Sequence, residues 1–155
     1  MRTKLITIGN KMPDWVNKGF SEYQKRLSHS FPIELVEIPL QRRTKKADID
    51  KCQQLENQQL LNPIDPNDHV IMLDKSGSEW TSEALAKQLN TWKQLGKNLI
   101  FTIGGPEGFT TDSLARANQQ WSLGKLTLPH PLARLIVIEA LYRAQSILDG
   151  LPYHK

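Results

Sequence analysis

Five segments hold residue types whose spacing could do chemistry. Ile103-Gly104-Gly105-Pro106-Glu107-Gly108 is glycine-rich, and glycine lets a ligand come close to backbone N–H and C=O groups. Ser122-Leu123-Gly124-Lys125-Leu126-Thr127-Leu128-Pro129-His130-Pro131 brackets His130 with two prolines. They restrict the backbone on both sides, so this loop could present backbone groups to an adenine or a carbonyl-rich ligand. Further on, the apolar run Leu135-Ile136-Val137-Ile138 leads into Glu139 and Arg143, four apart and able to pair on a helix surface. In Pro152-Tyr153-His154-Lys155 an aromatic ring, an imidazole and an ammonium together could stack on a base and contact a phosphate. Arg42-Arg43-Thr44-Lys45-Lys46 has the charge to do the latter as well.

Each segment has a plainer reading. The glycines could form an ordinary strand-to-helix turn, and His130 could cap a helix. Glu139 and Arg143 could be a surface pair worth about 0.2–0.5 kcal/mol. The tail could fray, and the basic run could be a solvated loop. Some chemistries are excluded outright. Neither G-x-G-x-x-G nor G-x-x-x-x-G-K-[ST] occurs, so a nicotinamide oxidoreductase would lack its fingerprint. His29, His69, His130 and His154 are scattered, with no triad or metal spacing, and Cys52 is the sole cysteine. That leaves no internal disulfide and no Cys-based zinc cluster; no metal is expected.

Short apolar runs alternating with amphipathic ones must position these segments. Leu5 to Ile8, Ile33 to Ile38, Val70 to Leu73 and Leu99 to Ile103 read as strands, and a last one lies within 121–128. Val16, Phe20, Tyr23 and Leu27 share one helical face after Pro13-Asp14. Ile49, Cys52, Leu55, Gln59 and Leu60 suggest a second helix. A third, capped by Thr81 or Ser82 and stopped by Gly96, carries Leu85, Leu89 and Trp92. Thr110 or Thr111 caps a short helix, and Pro131 suits the first turn of the final one. Such alternation predicts a single-domain α/β fold of about five parallel strands, with ligands outside the strand C-termini. Those ends fall at Leu73-Asp74, Gly104-Gly105 and 123–130, all in the second half of the chain.

With 155 residues the chain suits one domain with a proper core. Charge is 20 basic against 16 acidic side chains, or +4, which permits an acidic partner without demanding one. No apolar run approaches the roughly 18 residues of a membrane span. The opening Met1-Arg2-Thr3-Lys4-Leu5 is too soon interrupted by Gly9-Asn10-Lys11 to be a signal peptide. A cytoplasmic location is expected.

Taken in order, the segments resemble one family along nearly the whole chain: the SPOUT-class ribosomal RNA large subunit methyltransferase H family. The likeness rests on Ile103 to Gly108, Ser122-Leu123 with Leu126-Thr127-Leu128-Pro129-His130, Glu139 with Leu141-Tyr142-Arg143-Ala144, and Pro152-Tyr153-His154. Gly9, Lys11 to Val16, Gly19-Phe20, Glu22-Tyr23, Glu37-Ile38-Pro39 and Ala47-Asp48-Ile49 extend it. The resemblance implies S-adenosylmethionine-dependent methylation of N3 of a pseudouridine, leaving S-adenosylhomocysteine. Its target would be a 23S rRNA stem-loop at the subunit interface of the assembled 70S ribosome. It further implies a homodimer and a deep trefoil knot within about 70–150, despite the general avoidance of knots. Carried onto this sequence, the cofactor positions are Leu73, Gly104, Gly105 and Leu123-Gly124-Lys125-Leu126-Thr127-Leu128. Lys125 stands where small residues are usual and should face solvent or RNA, away from a cationic sulfonium. Glu139, Arg143 and His154 are the catalytic candidates, and His130, Arg134, Tyr153 and Lys155 the substrate-binding ones. N3 carries a proton in the neutral base, so something must remove it. Glu139, His154 and His130 stand as bases, with Arg134 or Arg143 as electrostatic support.

Overall fold

The structure is a computed structural model that describes residues 1–154. In chain order it comprises β1 (Thr3–Ile8), α1 (Asp14–Leu27), β2 (Ile33–Ile38), α2 (Ile49–Leu61), β3 (His69–Glu79) and α3 (Ser82–Gln94). There follow β4 (Leu99–Ile103), α4 (Thr111–Arg116), β5 (Gln119–Ser122), α5 (His130–Leu148) and a 3-10 turn, Pro152–His154. One sheet holds all five strands in the order β2-β1-β4-β3-β5, and every pairing is parallel. Parallel neighbours require crossovers, which is why helices separate the strands.

Side chains alternate across the sheet, so consecutive strand residues feed two cores. Leu5, Ile71 and Phe101 point into the larger, with Phe20 of α1, Leu89 and Trp92 of α3, and Val137 and Leu141 of α5. Ile6, Val70, Met72 and Ile100 point into the smaller, with Leu60 of α2. Covered on both faces, β4 is buried at every position. Trp92 sets its edge against Phe101 at a centroid distance of 5.5 Å. Its indole N–H donates to Gln119 at 2.6 Å, as a buried indole requires.

Thr81 and Thr110 turn out to be the caps of α3 and α4, accepting the Ala84 and Ser113 N–H groups. His130 caps nothing: it opens α5, with Pro129 at the cap and Pro131 in the first turn. Two expectations fail. The reading ended the third strand at Leu73, but β3 continues to Glu79, where Ser78 and Glu79 pair with Trp121 and Ser122 after a shift in register. Backbone pairing, invisible to hydropathy, carries that polar extension. It depends on Gly77, where a Cβ would lie 2.5 Å from backbone atoms of Gln120 and Trp121. In α2, Ile49 and Leu55 are exposed, and the buried residues are Glu56, Asn57 and Leu60. Its inner face is polar because of what it holds, described below.

Candidate functional site

The middle of β3, at Leu73 to Lys75, and the C-terminal ends of β4 and β5 open onto one cleft of about 440 Å³. Ligands in parallel α/β sheets sit at such ends. Leu73 forms one wall, the turn Gly104–Gly108 a second, and Leu123 through Leu128 a third. The structure therefore brings every residue expected to hold cofactor to one place. The turn closes on itself: the Gly108 N–H donates to the Gly105 carbonyl at 3.0 Å, and Gly108 takes φ 78°. A side chain there would be strained. At Gly105 a Cβ would press Ile8 at 3.1 Å. Opposite, the Ser122 hydroxyl bonds both the N–H and the carbonyl of Gly124, each at 3.2 Å, and bends the loop back. Lys125 is exposed and also lies among the residues that line the cleft, and Leu126 is 84% exposed.

Two backbone-rich loops with apolar residues between them suit a flat heteroaromatic ring with hydrogen-bonding edges. Asp74 and Glu107 bring carboxylates to the same cleft and Lys75 and Lys125 bring ammonium groups, so its charge is mixed. Asp74, Lys75, Glu107, Phe109, Trp121 and Ala133 are among the lining residues outside the expected cofactor positions. Asp74 follows directly on an apolar strand and Glu107 lies within the glycine segment, so their positions were the available signal.

The catalytic candidates lie elsewhere. A mainly apolar groove of about 520 Å³ runs between α1, α3 and α5, with Glu139 and Arg143 among its lining residues. It shares only the wall Trp121-Ser122-Leu123 with the cleft. Arg143 donates to Glu139 through Nε at 3.1 Å and again through a terminal nitrogen. That hydrogen bonding raises the Arg143 pKa further, so the guanidinium stays charged. Within the tail, Pro152–His154 form a 3-10 turn and Tyr153 is packed against the helices. Tyr153 lies edge-on to Tyr142 at 4.7 Å, its hydroxyl is 3.0 Å from that of Tyr23, and Arg143 sits over its ring at 5.9 Å. Burial, then the Tyr23 hydrogen bond, pushes the Tyr153 phenol well above its ordinary value, so it remains neutral. His154 is exposed beside this cluster. Glu139, Arg143 and Tyr153 thus come together, but none of them lines the cleft. Lys155 lies outside the described residues.

Arg134 requires a correction. It was expected to touch substrate, yet it is fully buried. Its guanidinium donates to Glu37 at 2.8 Å, the Thr7 hydroxyl at 2.9 Å and the Gly9 carbonyl at 3.1 Å. A buried charge so paired is a strut from β1 to α5, out of reach of an external ligand. His130 is packed beneath Gly9, which takes φ 137° and where a Cβ would lie 3.4 Å from the ring.

Burial first, then the neighbouring Arg134 charge, lowers the His130 pKa; the Gly104 carbonyl and Glu37 oppose them. The imidazole is therefore neutral at pH 7. As pH falls through about 6.5 the unfolded chain takes up its proton before the folded one does. Stability is lost over that interval, down to the folded pKa. The gap in urea midpoint between the native protein and His130→Asn should therefore narrow as pH falls from about 8 to about 5. A gap independent of pH would remove this assignment.

Among the described residues no group of three or more His, Cys, Asp or Glu side chains is placed to hold a metal ion. No helix among them is long and apolar enough to cross a membrane. A family model described as "Predicted SPOUT methyltransferase" matches residues 1–154. Two curated relatives share the name Ribosomal RNA large subunit methyltransferase H. That of Hahella chejuensis is 46% identical over 155 residues, spanning 100% of this chain and 99% of its own length. That of Marinomonas sp. is 45% identical and spans 100% of both. Among solved structures, a probable methylase family protein from Haemophilus influenzae aligns with TM-score 0.57 at 13% identity, over 96% of this chain and 68% of that one. A ribosomal RNA small subunit methyltransferase E from Neisseria gonorrhoeae, bound to S-adenosyl methionine, aligns with TM-score 0.54, also at 13% identity, over 95% and 67%. At such identity these two show the fold alone.

Proposed function

The chain belongs to the SPOUT methyltransferase family, and from that premise we propose that it is an S-adenosylmethionine-dependent methyltransferase of 23S rRNA. Its target is N3 of a pseudouridine, in the stem-loop at the ribosomal subunit interface. The preferred substrate is the assembled 70S particle in the cytoplasm, and the second product is S-adenosylhomocysteine. The observation that carries this reading is the cleft: a glycine turn and a backbone-rich loop face each other at the strand ends.

The whole chain acts as one catalytic domain, with a trefoil knot within about 70–150, and works as a homodimer. Two observations support the dimer. Glu139 and Arg143 lie across the Trp121–Leu123 wall from the cleft of their own chain. Leu132 and Ile136 leave apolar surface exposed on α5. A partner placed against α5 brings one subunit's tail to the other's cleft.

Bound S-adenosylmethionine supplies an electrophilic methyl group. The protein's contribution is to orient donor and acceptor and to handle the N3 proton. Glu139 is committed to Arg143, and His130 is packed beneath Gly9 and beside Arg134, which leaves His154 to accept that proton. Arg143 offsets the negative charge that develops on the pyrimidine as the proton leaves. Glu139 fixes the direction of Arg143, and Tyr153 adds an aromatic face for the base. Arg134 holds α5 in place from beneath. No step calls for a metal.

Purified protein is given labelled S-adenosylmethionine with 70S ribosomes or free 50S subunits from cells lacking this modification. Digested rRNA is then read by mass spectrometry. Label in 3-methylpseudouridine, greater on 70S, is the expected outcome. Cofactor binding with no labelled rRNA would redirect the search to another RNA, and absence of cofactor binding would remove the reading.

A further inference from the structure

The polar inner face of α2 has a purpose that the core does not explain. Glu56 is 1% exposed. Its carboxylate accepts both terminal nitrogens of Arg43, at 2.6 and 2.8 Å, and the Gln41 N–H at 2.6 Å. The same guanidinium reaches Glu107 of the glycine turn, at 2.7 Å through a terminal nitrogen and 3.2 Å through Nε. Beside it, Gln53 donates to the Glu107 and Gly108 carbonyls at 3.3 and 3.4 Å. Asn57 accepts the Thr110 N–H at 3.1 Å. One helix thus grips the turn at Glu107, Gly108 and Thr110. Meanwhile the basic run divides: Arg43 turns inward, while Arg42, Lys45 and Lys46 stay exposed.

Burying a carboxylate is unfavourable unless it is fully paired, and an apolar α2 face would fill the core at least as well. What the ion pair adds is position. The turn carries three glycines, whose backbones are free to adopt many shapes. Its internal Gly108–Gly105 hydrogen bond sets its curvature but does not tie it to the sheet.

We propose that Arg43 and Glu56 are positioning residues for cofactor binding, clamping the Gly104–Gly108 turn in the shape that backbone contacts to the cofactor require. This rests on the reading of the cleft as the S-adenosylmethionine site. Neither residue lines that cleft, so their effect passes through Glu107 and the turn.

The test measures S-adenosylmethionine binding by calorimetry on the full chain, with Glu56→Gln, Arg43→Met and, as control, Arg42→Met. Glu56→Gln keeps the size of the side chain and an acceptor for Gln41. Amide hydrogen exchange is followed in parallel. The two clamp variants should bind at least about fivefold more weakly, while Arg42→Met binds as the native protein does. Exchange should quicken at 105–110 and stay slow in β1 and β4. In turnover, KM for S-adenosylmethionine should rise in Glu56→Gln, with kcat at saturation and KM for ribosomes retained. Native affinity in both clamp variants would overturn the proposal. So would exchange quickened throughout the sheet, which would mean general unfolding. Failure of the native protein itself to bind S-adenosylmethionine would instead strike the reading of the cleft, and the clamp's role would fall with it.

Discussion

Arg143→Ala is expected to slow methyl transfer about a hundredfold or more, with the affinity for S-adenosylmethionine unchanged. The split follows from placement. Arg143 stands in the α5 groove, oriented by Glu139 at 3.1 Å and lying over the Tyr153 ring. The proposed cofactor contacts are Leu73, the glycine turn and the 123–128 loop, which do not include it. If Arg143 has its proposed role at the reacting base, removing its charge should affect the transition state and leave the cofactor in place. His154→Ala should show the same pattern, since the exposed imidazole is the proposed proton acceptor. Arg143→Lys should recover only part of the rate, because an ammonium cannot reproduce the paired geometry of the guanidinium. Single-turnover rates on 70S ribosomes at saturating cofactor, beside calorimetric binding, would read this directly. Unchanged turnover in both alanine variants would sink the tail-and-helix version of the catalytic group.

Gly77→Ala should be the most damaging small substitution in the sheet. The added Cβ would lie 2.5 Å from the Gln120 carbonyl carbon and the Trp121 nitrogen, and 2.7 Å from the Gln120 oxygen. All three are backbone atoms, so no side-chain rotation relieves the clash; β5 must move away from β3. Overpacking of this kind costs about 1–3 kcal/mol, and the rigidity of both partners places this case at the upper end. The displaced segment leads directly into Trp121, Ser122 and Leu123, the wall common to cleft and groove. Cofactor affinity should fall together with the urea midpoint. A midpoint equal to that of the native protein would mean that the two backbones are not so closely apposed.

Local chemistry was legible where one segment carries its own signal. Leu99 to Ile103 is apolar at each position but Thr102, and β4 is buried on both faces. Thr81 and Thr110 cap the helices that their side chains suit. The glycine segment and the 123–128 loop meet at one cleft because parallel strands end on one side of a sheet. Features set by distant partners were not legible. Arg134 looks like any arginine on a helix until Glu37, 97 positions away, meets its guanidinium. Glu56 occupies what hydropathy treats as a solvent position, and only Arg43 and the glycine turn explain its burial. Tyr153 is held by Tyr23, 130 positions earlier. Each of these depends on a long-range pairing that neither periodicity nor spacing within a window can express.

The strand order also has a consequence for how the chain is made. β1 lies between β2 and β4, with Thr3 level with both Ile33 and Leu99. A growing polypeptide can pair β1 with β2 early, but the other edge of β1 stays open until residues 99–103 have been synthesised. Through that interval an unpaired strand edge and an uncovered apolar face are presented to other chains. The last cover, α5, arrives later still. Such non-local closure folds slowly, and the nascent protein should depend on a holding chaperone until its final helix has emerged.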